Sequence, residues 1–250
     1  MKYFVIHYPK LVKRKELLTR HLEERGLTDV EWVENLNIDD PFVNWLANYT
    51  GNKLPLGHFS CTVKHFWILH QMLERGIKEA VIFEDDVVLH KDFKNVEIPQ
   101  NLMFVKFGIG VNFHMKPELQ AQQVHNLGGN EANYVTDEFA RRMLDQVHFG
   151  HSADIIYQAF LMSQNYPMVC IPACHQTSLL DGASVCSSTV PMPDWIQYIR
   201  LWNSLKKYKW EDLLSEYSKV KTVEDEFERN FGTRISLTNI EYIRTRLSLQ

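Results

Sequence analysis

The chain has 250 residues, 27 of them basic and 31 acidic, for a formal charge of -4, and its 45% apolar and 23% charged content is that of an ordinary globular protein able to bury a sizeable core. No basic cluster is tighter than Lys13-Arg14-Lys15, which suits a diphosphate rather than a long polyanion, so nucleic acid is not an expected partner. Four cysteines (Cys61, Cys170, Cys174 and Cys186) are too few for a disulfide scaffold and read as reduced thiols, and no run reaches the roughly 18 apolar residues of a membrane span.

Met1 to His7 lacks the long apolar stretch of a secretion signal, which sets the expectation of a cytoplasmic protein. Residues 3–6 are a short apolar run that reads as a first, central strand, stopped by Pro9. Leu11, Leu17, Leu18 and Leu22 then recur near helical spacing up to Gly26, and residues 30–33 suit a second strand. Residues 39–54 mix Pro, Asn, Gly and aromatics and read as loop with one short helix. The clearest helix covers 56–75, with Leu56, Phe59, Val63, Phe66, Trp67 and Leu73 on one broad face and Gly76 closing it. Ala80-Val81-Ile82-Phe83 is apolar at consecutive positions, as in a strand covered on both faces.

Residues 102–107 and 168–171 are further strand candidates, with 132–135 a weaker one. Thr136 as N-cap, followed by Asp137 and Glu138, opens a predicted helix over 136–147, and 154–162 suits another. This alternation predicts an α/β fold with a mostly parallel sheet flanked by helices. After Pro191 and Pro193 the strand signal stops, and 195–217, 223–231 and 237–249 read as successive helices. The expected organisation is a nucleotide-binding and catalytic unit over 1–190 with a helical extension over 191–250, whose aromatic residues could serve a homo-oligomer interface.

The apolar strand at 80–83 runs straight into Glu84-Asp85-Asp86. Adjacent carboxylates repel, and placing them at the end of an apolar strand is costly unless a cation or hydrogen-bond donors offset the charge. In parallel sheets, ligands bind beyond the carboxyl ends of the strands. Alternation would put Glu84 and Asp86 on one side and Asp85 on the other. Two carboxylates on one side can hold a hard divalent ion that leaves positions for substrate phosphates and neutralises a departing diphosphate. For the tripeptide alone, a solvated loop with Asp85 or Asp86 capping a turn is the competing reading.

With this strand and the helix before it, the chain resembles glycosyltransferase family 25, which includes bacterial lipopolysaccharide galactosyltransferases and animal collagen hydroxylysine galactosyltransferases. The match runs from Cys61-Thr62-Val63-Lys64-His65 through Glu74-Arg75-Gly76 to Val81-Ile82-Phe83-Glu84-Asp85-Asp86-Val87-Val88-Leu89, in which Glu-Asp-Asp is the family's version of an Asp-X-Asp metal motif. Residues 6–15 resemble its first strand and Arg-bearing loop. Tyr134-Val135-Thr136 with Ala140 resembles its Tyr-Ile-Ser-Arg-x-Ala segment, and Pro172-Ala173-Cys174-His175-Gln176 its late strand end. Two departures stand out: Thr-Val-Lys-His occupies the helix where many members carry Ser-His, and Asp137 stands at the segment's Arg.

The resemblance implies a GT-A fold, a UDP-sugar donor, Mn2+ or Mg2+, and transfer of a hexose with inversion to a glycan or protein-borne hydroxyl. It implies Glu84 and Asp86 as holders of the ion or its water shell, Asp85 as support for ribose or metal, and Arg14 as a bidentate nucleotide contact. Lys13 reads first as a solvated residue of the first helical turn and second as a phosphate contact. His7 either faces the base or is a satisfied structural histidine. His175 follows a late strand, where many GT-A enzymes take a metal ligand, and neutral imidazole suits manganese. Asp154 falls where the family places an acidic residue before a helix. It is the candidate base for the acceptor hydroxyl, with an answer to the helix dipole as its alternative and Asp181 as the spare.

Cys170, Cys174, His175 and Cys186 could make a zinc site, but Cys-x3-Cys-His is an unusual spacing. Gly128-Gly129 reads as a turn. Trp45, Trp67, Trp195 and Trp202 read as core before sugar platforms. Two other functions compete: a metal-dependent phosphohydrolase on the same acidic strand end, and a non-catalytic nucleotide-sugar-binding scaffold.

Overall fold

The computed structural model describes residues 1–108, 119–125, 127–176, 202–203 and 205–231; Asp181, Cys186, Trp195 and the helix expected at 237–249 lie outside the described residues. Its strands are β1 (Lys2–Ile6), β2 (Val30–Val33), β3 (Glu79–Glu84), β4 (Val87–Leu89), β5 (Phe104–Gly108), β6 (Gln122–Gln123), β7 (Ala132–Thr136) and β8 (Val169–Gln176). Its helices are α1 (Val12–Glu24), α2 (Pro41–Thr50), α3 (Leu56–Glu74), α4 (Asp137–Leu144), α5 (Ala153–Ser163) and α6 (Trp210–Phe231).

One sheet carries the order β2-β1-β3-β7-β5-β8-β4, with β6 beside β8. β1, β2, β3, β5 and β8 run one way, while β7, β4 and β6 run against them. The sheet is therefore mixed but mostly parallel, flanked by helices with a C-terminal helix, in keeping with a GT-A-like Rossmann arrangement. Alternate residues of each central strand feed two cores. Phe4, Ile82, Phe104 and Val135 pack with α2, α3, α4 and α5, whereas Val5, Val81, Phe83 and Val105 pack with Leu18 and Leu22 of α1. Burial on both faces is why β1 and β3 read as continuous apolar runs.

Three local features depart from the sequence expectation. Residues 41–50 are a full helix. Asp40 accepts from Phe42 N at 2.8 Å, Pro41 sits at the first turn, and Gly51 ends the helix at φ 66°. β8 is longer than expected, so Cys174 and His175 lie inside it. Its first part pairs with β5, the register then shifts, and Cys174 to Gln176 pair with β4. Because β4 is joined to β3 by only Asp85-Asp86, this pairing draws the end of β8 back toward the tip of β3.

The third departure is α6, one helix from 210 to 231 where two were expected, preceded by a non-helical stretch in which Tyr208 bridges Val147. Trp202, Trp210, Leu213 and Val220 join the same core as Phe42, Phe66 and Phe149. No described helix is long and apolar enough to cross a membrane.

Candidate active site

β3 stops at Glu84, and Asp85-Asp86 turn the chain into β4. Glu84 continues the face of Ile82 toward α3, its Oε1 lying 3.5 Å from Cys61 Sγ and 3.4 Å from His65 Nε2. Asp85 points toward α1. Its Oδ2 is 2.7 Å from His7 Nδ1 and accepts from Tyr8 N at 3.4 Å, and its Oδ1 accepts from Arg14 Nη1 at 3.1 Å. Strand alternation no longer governs Asp86, because it lies beyond the strand. Its Oδ2 is 3.7 Å from Arg14 Nη1, and its buried Oδ1 has no hydrogen-bond partner among the described residues.

The three acids therefore differ electrostatically. Burial works to raise Asp85, but the hydrogen bonds from His7 and Arg14 outweigh it and hold the carboxyl below its ordinary value. Glu84 is pushed up to about 8, first by burial and then by Asp154 and Glu131, with the Cys61 thiol acting against the rise. Its side chain keeps 22% exposure, so the neighbouring carboxylates matter beside desolvation. Asp86 is pushed up to about 7 by burial and by Glu84, with Arg14 offsetting part of this. Two carboxyl groups poised near neutrality, one with an orphaned oxygen, fit a divalent cation, which would favour both ionised forms.

Among the described residues, the one group of three or more metal-ligating side chains whose donor atoms all lie within 4.8 Å of one another is Cys61, His65 and Glu84. Asp86 and His175 do not join Glu84 in such a group. His175 is exposed in β8 opposite Val88 of β4. Asn130 Nδ2 donates to His65 Nε2 at 2.7 Å, so an ion bound at Nε2 would displace that amide. Burial lowers His65 to about 3, which keeps the ring neutral and able to accept.

His7 is buried and edge-on to Trp32, and Lys13 is exposed on the first turn of α1. Asp154 opens α5, where its Oδ2 accepts from Gly129 N at 3.0 Å and its Oδ1 from Ser152 Oγ. The sequence reading missed several polar residues that surround these. Lys64, 2% exposed, donates to His7 O at 2.6 Å and to Asn37 Oδ1 at 2.7 Å. Lys106 and Glu131 form a buried ion pair of 3.3 Å, and Asn133 donates to Asn130. Their signal was a lysine inside an otherwise apolar strand, a pattern a buried partner must explain.

Burial pushes Cys170 up to about 12 and Cys174 well above its ordinary value, and among the described residues Cys170, Cys174 and His175 form no cluster of metal-ligating groups. Trp45 and Trp202 are buried in the core, and Trp67 packs against it. A surface cavity lined by Lys2, Asp29, Arg75 and Glu79 lies at the opposite, N-terminal end of β1 and β3. Two of its cations are already paired, Lys2 with Asp29 at 2.6 Å and Arg75 with Glu31 at 2.8 Å.

A family model described as glycosyltransferase family 25 (LPS biosynthesis protein) matches residues 2–153, more than half of the chain. No curated protein matches. Among solved structures, the chain is similar to a glycosyltransferase involved in glycosylation of the major capsid of PBCV-1, at 13% identity and a TM-score of 0.33 over 57% of this chain. That match covers 64% of the other chain, under two thirds of its length. It is also similar to a mutant of a Drosophila β1,4-galactosyltransferase 7 solved with manganese, UDP-Gal and xylobiose, at 9% identity and a TM-score of 0.34 over 78% of this chain and 84% of that one.

Proposed function

We propose, because the chain belongs to glycosyltransferase family 25, that it moves a hexose from a UDP-sugar to a hydroxyl of a glycan or protein acceptor, with inversion and with Mn2+ or Mg2+ as cofactor. The observation that carries this reading is the unequal treatment of the acidic turn. Asp85 is neutralised by His7 and Arg14, while Glu84 and Asp86 are left under-compensated at the C-terminal end of a central strand. Glu84 and Asp86 would hold the ion, with His175 as a further candidate ligand, and the ion would neutralise charge on the departing diphosphate.

The remaining work falls to the chain's own groups. Asp85 orients the Arg14 guanidinium and the His7 ring at the mouth of β1, where Arg14, with Lys13 beside it, can meet a nucleotide phosphate. Asp154 takes the proton of the acceptor hydroxyl as that oxygen bonds to the anomeric carbon and the carbon–oxygen bond to UDP breaks. Its carboxylate is oriented for this by Gly129 N and Ser152 Oγ.

The experiment is a product assay on a panel of UDP-hexoses with Mn2+ or with EDTA. A transferase releases UDP in the presence of Mn2+ and forms a glycosylated acceptor or, slowly, free sugar. Phosphate release from simple esters would point to a phosphohydrolase instead, and binding without turnover of any donor to a scaffold.

A further inference from the structure

Lys106 has no exposed surface, yet it lies in the middle of the sheet between apolar neighbours. Its ammonium donates to the carbonyls of Leu127 at 2.9 Å, of Gly128, and of Gly129 at 2.6 Å. Three carbonyls converging on the three hydrogens of one ammonium bend the loop 127–131 around it. Glu131, 1% exposed, balances the charge at 3.3 Å. Two glycines make room for that carboxylate. A Cβ at Gly108 would lie 2.1 Å from Glu131 Oε2, and one at Gly129, whose φ is 81°, would lie 2.7 Å from Oε1.

Two contacts lead out of this cradle toward the acidic turn. Gly129 N donates to Asp154 Oδ2 at 3.0 Å, and Asn130 Nδ2 donates to His65 Nε2, which faces Glu84. A buried ion pair is a poor device for stability alone, since well-packed apolar residues in its place are often neutral or better. A pair whose cation bonds are spent on one loop's carbonyls instead fixes that loop's shape.

Resting on the transferase reading with Asp154 as base, we propose that Lys106 and Glu131 are positioning residues: their buried pair sets loop 127–131 so that the Gly129 N–H holds the Asp154 carboxylate in its working orientation. Neither is placed against substrate, and the clamp reaches Asp154 through Gly129. The loop is thus part of the site's construction and not a simple turn.

The test uses the full chain with Glu131→Gln, which keeps shape and removes one charge, and the double variant Lys106→Met/Glu131→Gln. Hydrogen exchange is read at the Gly129 amide. The expected result is exchange about tenfold faster at Gly129, with amides of β3 and α3 unchanged. Unchanged Gly129 exchange in Glu131→Gln and in the double variant overturns the clamp. If the double variant loses protection everywhere, Glu131→Gln alone decides.

The link to chemistry is read by UDP release from UDP-galactose with Mn2+. Glu131→Gln should lower kcat about tenfold at unchanged KM and have no further effect in an Asp154→Asn background. The same factor in both backgrounds overturns the connection to Asp154. Wild-type turnover by Asp154→Asn would instead sink the base assignment, leaving the exchange experiment to judge the clamp.

Discussion

Asp85 accepts hydrogen bonds from His7 and Arg14, whereas among the described residues nothing donates to a buried oxygen of Asp86 beside it, and Glu84 meets a thiol, a neutral imidazole and other acids. The consequence is measurable without substrate. Glu84 titrates near 8 in the folded chain against an ordinary 4.5, so between those values the folded state binds the proton that the unfolded state has lost. The metal-free protein therefore loses stability as pH rises from 5 to 8, and Glu84→Gln removes that loss. At pH 8 in EDTA the variant should melt a few degrees above wild type, with the gap closing toward pH 5. An equal melting temperature at both pH values would contradict the electrostatic account. Asp85→Asn has the opposite sign. It weakens the bonds that His7 and Arg14 make in a largely buried setting and should cost about 1–3 kcal/mol by urea denaturation.

The loop between α4 and α5 offers a second pH test at the scale of elements. His148 accepts from Gly150 N at 3.0 Å through Nε2 and faces Lys206 O at 3.3 Å through Nδ1, so one ring fastens this loop to the stretch leading into α6. Burial lowers it to about 4. The unfolded chain takes up the proton first, so stability is present above the ordinary value near 6.5 and is lost as pH falls toward 4, by at most about 3 kcal/mol. His148→Gln should flatten that acid limb in urea melts; a limb of unchanged slope would show that His148 does not drive it. β1 and β3 were legible in the sequence because both their faces are buried. The direction of β7 was not, since local pattern carries no strand polarity. β4 was hidden because three residues beside an acidic turn give no period. At the site, Glu84 and Asp85 could be read from the strand end they terminate, and their opposite sides followed from alternation. Asp86 broke that rule because the strand had already stopped. Lys106 and Glu131 escaped because each makes sense only with the other, 25 positions away, and nothing local announces that pairing.

At the scale of the whole molecule, the described part of the expected helical extension shares the core beside the sheet. Trp210 is fully buried, 6.0 Å from the Phe42 ring and 6.2 Å from the Phe66 ring, and Tyr217 packs edge-on to Phe42 and tilted against Trp45. Trp210 and Tyr217 thus pack within one chain. A fragment ending at residue 200 should lose cooperative unfolding and aggregate, and Trp210→Ala in the full chain should cost about 3–5 kcal/mol. A fragment that melts like the full chain would show the extension to be a separate unit. Above all of this stands the claim that Glu84 and Asp86 grip a divalent cation bridging to a diphosphate. The direct measurement is the melting temperature with UDP, with and without Mn2+, in wild type, Glu84→Gln and Asp86→Asn. The account predicts a Mn2+-dependent rise in wild type, by mass action on the folded state, and none in either variant. A rise of the same size in both variants would contradict it.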